Sequence, residues 1–482
     1  DNPLMCVGVP EMLDLLLLNK SSSKKQHDLH YVIYWCPADP LKSINFFLPP
    51  WNDNTFILQY TVFSLESHDV NVTFFYVPQI VQCLRYDRTG YVSNLILVTG
   101  KTSVLFSHQI IWNMLANSYK DGEGIEEDAI KPTLDDVRNK MISTFDSSKY
   151  EFYQREFGFF NEVTSISGKL KPYIKKSKAE KKHKIDEEME KIEVKPDVYL
   201  PSNPDGVVVD IDRKSGKPLQ SHAKAPFMAT FKIKKTVKDS ETGRRKEIEK
   251  WQAAIFKVGD DCRQDVLALQ LISMFRTIWS NIGLDVYVFP NRVTATAPGC
   301  GVIDVLPNSI SRDMLGREAV NGLYEYFVTK FGREDTIEFQ NARNNFVKSL
   351  AGYSVISYLL QFKDRHNGNI MYDDQGHCLH IDFGGSQDTQ AYHDFEELCI
   401  KAYLAARPHM NAILECVSPM LDSGLPCFKG SKTVRNLQNR FQPLKTDHEA
   451  AMFMKALIKK SYESLFTKGY DEFQRLTNGI PY

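Results

Sequence analysis

The chain has 482 residues, room for two to four domains, and at 43% hydrophobic and 12% aromatic it can bury sizeable cores rather than stay disordered. A net charge of −1 leaves no global basic field for nucleic acid or an anionic membrane, so any such attraction rests on local patches. Nine cysteines without CxxC or metal-ligand spacing suit a reducing cytosol better than a disulfide framework, and no apolar run approaches the roughly 20 residues of a membrane span.

Asp1-Asn2-Pro3 has neither a basic leader nor an initiator methionine, so the expectation is the C-terminal portion of a longer protein. Residues 1–165 read as helical. Pro78 sits in the first turn of a helix through Arg85, Asp87-Arg88-Thr89-Gly90 turns the chain, and helices follow over Tyr91–Leu97 and Val104–Ala116. Short stacked helices with apolar faces suggest a helical solenoid that packs without chemistry of its own. Residues 166–195 are lysine-rich, grading into Asp186-Glu187-Glu188, and read as a charged, solvated linker or a single exposed helix.

From residue 196 the pattern turns to strands: Val207–Ile211, Phe227–Lys234 and Trp251–Val258, with a polar hairpin tip at Asp239–Arg245. Leu267, Leu271, Met274, Phe275 and Ile278 recur at helical spacing, predicting a helix over Gln264–Asn281. Val286–Phe289, Val293–Thr296 and Val302–Val305 read as three more strands, with the Gly299-x-Gly301 pair allowing a tight turn. Beyond Ser311 the chain is largely helical. The expected class is therefore α+β: a bilobal protein-kinase-like domain, its N-lobe at 196–310 and C-lobe at 311–482, preceded by the α-helical solenoid.

The chemistry concentrates in residues 364–384. Asp364-Arg365-His366-Asn367-Gly368-Asn369 is followed by a short hairpin and then His380-Ile381-Asp382-Phe383-Gly384. Phosphoryl transfer from a nucleotide needs this kit: a carboxylate and an amide to hold Mg²⁺ against the phosphates, and groups to handle the proton of an attacking hydroxyl. Asn369 and Asp382 are the expected Mg²⁺ ligands, hard oxygens brought side by side by the hairpin. His366, with an ordinary pKa near 6.5, or Asp364 takes the hydroxyl proton; the residues leave that choice open. Arg365 braces the loop. His377, Cys378 and His380 alternate on a strand, which points them to opposite faces rather than to one metal. Lys257, at a strand end before a turn and a helix, is a compact cation suited to nucleotide phosphates, with Asp265 the acid expected to orient it.

The order Asp-Arg-His-x-x-Asn followed by Asp-Phe-Gly differs from the His-Arg-Asp order of ordinary protein kinases. It resembles the phosphoinositide 3/4-kinase superfamily. Phe256-Lys257-Val258-Gly259-Asp260-Asp261-Cys262-Arg263-Gln264-Asp265, Ala295–Ile303 and the terminal Asn478-Gly479-Ile480-Pro481-Tyr482 are similar to the type III phosphatidylinositol 4-kinases of the alpha class, nearest to their fungal plasma-membrane branch. Residues 75–82 and 108–114 resemble the accessory (PIK) helical domain that precedes such kinases. The resemblance implies ATP and Mg²⁺ as cofactors and phosphatidylinositol in a membrane as substrate, phosphorylated at its 4-hydroxyl. It implies a cytoplasmic enzyme, peripheral at the inner face of the plasma membrane, recruited by scaffold and adaptor proteins into a higher-order complex. Ser221 and Lys224 would lie in the phosphate-covering loop. Ile303, Asp304, Val305 and Leu306 would form the hinge, where main-chain atoms of Asp304 and Leu306 meet the adenine edge. Ile370 and Ile381 would floor the ring.

One departure stands out. The family carries a longer activation segment after the Asp-Phe-Gly motif, contacting the inositol headgroup, whereas here Asp382-Phe383-Gly384 leads within about ten residues to a helix at Phe395–Ala405. Either that segment is deleted, which puts lipid phosphorylation in doubt while sparing ATP binding, or a stretch is left out; the intact remaining motifs favour the second. A last helix near Tyr462–Leu476 aligns Phe466, Tyr470 and Phe473 for packing or for the bilayer interface. The rival readings are a superfamily Ser/Thr protein kinase and a catalytically silent scaffold module.

Overall fold

The computed structural model describes residues 2–18, 26–219, 224–311, 323–362, 370–379 and 390–466. The class is α+β, a helical N-terminal region followed by a sheet-bearing domain. Two compact units divide the chain: Asp1–Ala268 with Arg292–Val305 and Glu415–Gly430, and Leu269–Asn291 with Leu306–Leu414 and Ser431–Tyr482.

In the first unit, caps written in the sequence delimit the helices. Pro78 lies in the first turn of α1 (Val77–Cys83). The Asp87 carboxylate accepts the N–H groups of Val92 and Ser93 at the start of α2 (Tyr91–Thr102). Ser103 accepts the Phe106 N–H at the start of α3 (Val104–Ala116). After α4 (Lys131–Ser143), Asp146 does the same for Lys149 in α5 (Ser147–Lys169). Each side-chain oxygen satisfies an N–H that the helix itself leaves orphaned. Helix α3 is apolar on most sides because Phe106, Ile110, Ile111, Trp112 and Met114 are all buried.

The lysine-rich run expected as a solvated linker is instead a docked helix, α6 (Lys178–Met189), opened by a Ser177/Glu180 capping box. Its Ile185 and Met189, four apart, are both fully buried. Its charges pair along the helix, Lys182 with Asp186 at 2.6 Å and Lys184 with the buried Glu188 at 3.0 Å. A run dense in charge thus still presents one apolar stripe inward.

Five antiparallel strands follow in the order β1-β2-β3-β5-β4: β1 (Val207–Pro218), β2 (Phe227–Lys238), β3 (Arg245–Val258), β4 (Val293–Ala297) and β5 (Cys300–Asp304). Phe227, Ala229, Phe231 and Ile233 alternate inward along β2, and Phe256 of β3 joins them. Phe160 of α5 stacks on Phe256, ring centroids 6.5 Å apart, so helices and sheet share one core. Residues 415–430 also belong here: the Asn45 amide donates to the Glu415 carbonyl at 2.8 Å and the Gln79 amide to the Cys416 carbonyl at 3.1 Å.

Helix α7 (Arg263–Asn281) divides between the units at Ala268. The second unit carries a three-stranded sheet of β6 (Ser309–Ser311), β7 (Met371–Asp373) and β8 (Cys378–Leu379), with α8 (Ile337–Leu360), α9 (Gln390–Ala406), most of α10 (Met410–Val417) and α11 (Asp447–Phe466). The strand expected at 286–289 is absent. That segment pairs with no strand among the described residues; its backbone is satisfied by α8: the Tyr287 N–H donates to the Lys348 carbonyl, and the Tyr353 hydroxyl both accepts from the Phe289 N–H and donates to its carbonyl. The apolar face expected on the terminal helix at Tyr470 and Phe473 lies outside the described residues.

Candidate functional site

Strand β3 delivers Lys257, and Gly259, at φ +84°, turns the chain into α7. Only glycine takes that left-handed conformation without cost. The turn folds Asp260 back onto the lysine, with Nζ 3.0 Å from Oδ2. Burial works to lower the Lys257 pKa, but Asp260, with smaller contributions from Cys262 and Asp265, raises it overall, so the ammonium stays charged. Lys224 lies over the same turn: a Cβ added to Gly259 would stand 3.0 Å from its Nζ. Two of the expected phosphate-binding cations therefore converge on one glycine turn.

Asp265 was expected to hold Lys257, yet the ion pair belongs to Asp260. Asp265 is mostly buried; burial raises its pKa against the opposing pull of Lys257. The sequence signal for Asp260 is the Lys-x-Gly-Asp spacing, which a left-handed glycine closes into a tight turn. Asp261 has a separate duty. Its carboxylate accepts the Arg263 N–H at the start of α7 and grips the guanidinium, Nη2 lying 2.7 Å from Oδ2. Arg263 also donates to the Lys120 carbonyl of the helical region at 3.3 Å. Cys262 is packed on Gly301, where an added Cβ would come within 2.5 Å of Sγ, and burial pushes its thiol up to about 12. Gly299, at φ +62°, turns β4 into β5 as the Gly-x-Gly spacing suggested.

The expected hinge continues β5. Ile303 pairs with Ile255 in the ladder. The Asp304 N–H donates to the Arg292 carbonyl at 2.8 Å, and the Val305 N–H to the Ala253 carbonyl at 3.0 Å. The Gln252 side chain covers the Val305 carbonyl. Asp304 was expected to offer main-chain atoms to adenine, but its N–H is taken; in 304–306 the main-chain N–H without a partner among the described residues is that of Leu306. The Asp304 carboxylate is itself anchored, accepting from the Ser202 hydroxyl at 2.9 Å. Sequence reading missed Ser202, because a serine a hundred residues upstream carries no local signal.

In the second unit Ile370 is 1% exposed, packed with Tyr326, Phe327, Phe339 and Tyr372. It offers no open face, so the floor assigned to it finds no support. His377 stacks on Tyr287 at 3.6 Å, its Nδ1 2.7 Å from the Asp373 carboxylate, a structural engagement that uses the side chain. Among the described residues no three His, Cys, Asp or Glu side chains cluster as a metal site. Ser221, Asp364, His366, Asn369, Ile381 and Asp382 lie outside the described residues. The described donors fit ATP in kind: two ammonium groups suit phosphates, and an unpaired N–H at Leu306 suits an adenine edge.

Residues 251–389 match the family described as phosphatidylinositol 3- and 4-kinase, and residues 4–154 match the phosphoinositide 3-kinase family accessory (PIK) domain. This defines the class: a phosphoinositide-kinase catalytic domain with its helical accessory domain. Phosphatidylinositol 4-kinase STT4 of Saccharomyces cerevisiae is 77% identical over 99% of this chain and 27% of its own length. The Schizosaccharomyces pombe phosphatidylinositol 4-kinase stt4 is 56% identical over 100% of this chain and 28% of its own. Phosphatidylinositol 4-kinase alpha 2 of Arabidopsis thaliana is 40% identical over 81% of this chain and 80% of its own. The chain belongs to the phosphatidylinositol 4-kinase family. It spans about a quarter of the length of the two fungal relatives. The alignment with the S. cerevisiae relative runs over 507 positions, more than the 482 residues here, so that relative carries residues this sequence lacks.

Proposed function

We propose that this chain is the accessory and catalytic portion of a lipid kinase that moves the γ-phosphoryl of ATP to the 4-hydroxyl of phosphatidylinositol. The observation that carries the reading is 77% identity across 99% of the chain to a phosphatidylinositol 4-kinase. The convergence of Lys224 and Lys257 on the Gly259 turn supports it, because phosphates need such a cradle.

The inositol oxygen attacks the γ-phosphorus, the bond to the β,γ-bridging oxygen breaks, ADP leaves, and the hydroxyl proton passes to Asp364 or His366. Asn369 and Asp382 would hold Mg²⁺, which would supply charge neutralisation to the phosphates. Lys257, Lys224 and the loop at Ser221 hold them, Asp260 and Asp265 keep Lys257 charged and placed, and the Leu306 N–H meets adenine. No helix among the described residues is long and apolar enough to cross a membrane. The enzyme would reach its lipid peripherally at the inner face of the plasma membrane, brought there by scaffold and adaptor proteins in a larger assembly.

The test is ATP turnover by the full-length enzyme on phosphatidylinositol vesicles, with the product isomer identified and Asp382→Asn as control. The expected result is lipid-dependent ADP release yielding the 4-phosphate, reduced about 10²-fold or more in the variant. Activity on protein alone would move the reading to a Ser/Thr protein kinase, and no nucleotide turnover would leave a scaffold module.

A further inference from the structure

We infer that the turn at residues 200–205 is a clamp that positions the adenine-pairing backbone, with Ser202 and Asp304 as its positioning residues. The inference rests on the reading of Leu306 as the adenine contact.

Asn203 donates its N–H to the Leu200 carbonyl, closing a tight turn just ahead of β1. Every side of this turn is tied. The Pro201 carbonyl accepts from the Thr294 hydroxyl of β4 at 2.7 Å and from the Gln109 amide of α3 at 2.9 Å. The Arg292 guanidinium donates to the Asn203 side chain at 3.1 Å and pairs with Asp205 at 2.8 Å. At the centre, the Ser202 hydroxyl donates to the Asp304 carboxylate, both residues being nearly fully buried.

A buried carboxylate is costly unless its lone pairs are filled, so an acid at the end of β5 needs a reason. The clamp supplies one. With its side chain bonded to Ser202 and its N–H to Arg292, Asp304 cannot rotate. Val305 is locked to Ala253 and Gln252. Beyond this locked pair, the first N–H without a partner among the described residues is that of Leu306, whose direction is then set through two peptide planes. A hinge donor must be aimed before the nucleotide arrives if binding is not to bear the ordering cost. Through Gln109 the aim is also referred to the accessory helices.

Ser202→Ala removes one donor and leaves the fold's packing intact. The expected result in the full-length enzyme is a KM for ATP raised about tenfold, equivalent to about 1.4 kcal/mol. The kcat and the KM for phosphatidylinositol should stay within about twofold of wild type. ADP binding measured by calorimetry should weaken by the same factor, and Gln109→Ala should shift it in the same direction by less. An unchanged ATP KM and ADP affinity overturns the clamp. So does a parallel loss of kcat, lipid KM and thermal midpoint, since that is what a merely structural serine would give. Calorimetry separates the clamp from its premise: an enzyme that binds ADP but never phosphorylates lipid sinks the kinase assignment while still testing Ser202. A wild type that binds no nucleotide overturns both.

Discussion

His108 of α3 is a histidine without hydrogen-bond partners: neither ring nitrogen has one among the described residues, and the side chain is fully buried against Phe152, Phe157 and Tyr199. Burial lowers its pKa to about 4. The folded group therefore stays neutral while the unfolded chain takes up a proton below about 6.5. Stability contributed here is full above that value and is lost as pH falls from about 6.5 to about 4. Burial raises the Glu156 carboxyl close by, which biases the same core the opposite way, toward low pH. His108→Phe keeps the aromatic packing and removes the proton. Its advantage over wild type should be about 1 kcal/mol at pH 7, from relief of unpaired nitrogens. It should grow by about 3 kcal/mol, to about 4 kcal/mol, by pH 4. Denaturant midpoints of both proteins at the two pH values give the answer, and a difference that does not widen on acidification refutes it.

At the scale of elements, the turn between β4 and β5 makes the strictest steric demand among the glycines of the described residues. A Cβ on Gly299 would stand 2.0 Å from the Gly122 carbonyl oxygen, and φ is +62°. Backbone meets backbone there, so neither side can yield by changing a rotamer. Gly299→Ala should cost about 2–4 kcal/mol and expose the loop at 118–128 to protease, because the same loop receives Arg263 through the Lys120 carbonyl. Gly243, equally left-handed at φ +66° but with only the Lys238 side chain 3.9 Å from an added Cβ, an ordinary contact, is the control, and alanine there should cost about 1 kcal/mol. Equal losses at the two glycines would dismiss the close approach. Such elements also mark how far sequence reading reaches. Helix Val104–Ala116 and the strand starting at Phe227 were legible because cap, periodicity and alternation are local. The segment at 286–289 looked like a strand and is not, because its backbone partner is the hydroxyl of Tyr353 rather than another strand. The docking of Ile185 and Met189 was hidden by the lysines around them. At the site, Lys257 was legible from its motif, whereas Asp260 displaced Asp265 as its partner through a glycine conformation, and Ser202 came from a hundred residues away.

The molecule as a whole is organised against its sequence order. Residues 415–430 lie between helices of the second unit in sequence yet belong to the unit holding the helical region. Their junction carries charge: Glu415 sits near Lys42, Asp39 and Asp14, with Lys42 held 2.6 Å from Asp14. Burial, reinforced by Asp39 and Asp14 and opposed by Lys42, raises the Glu415 pKa to about 7. A carboxyl raised in the fold prefers its proton there. Stability from it is therefore full below about 4.5 and lost as pH rises through about 7, so the segment is held least firmly on the alkaline side of neutrality. The full shift corresponds to about 3 kcal/mol, reduced to about 1–2 kcal/mol because Asp14 is more than half exposed and solvent screens it. Glu415→Gln mimics the protonated acid at every pH. It should match wild type in unfolding midpoint at pH 5 and exceed it by that margin at pH 8. A margin already present at pH 5 would mean that the introduced amide packs better for reasons unrelated to charge. Equality at pH 8 would mean that the carboxylate finds enough water or enough of Lys42 to ionise in place.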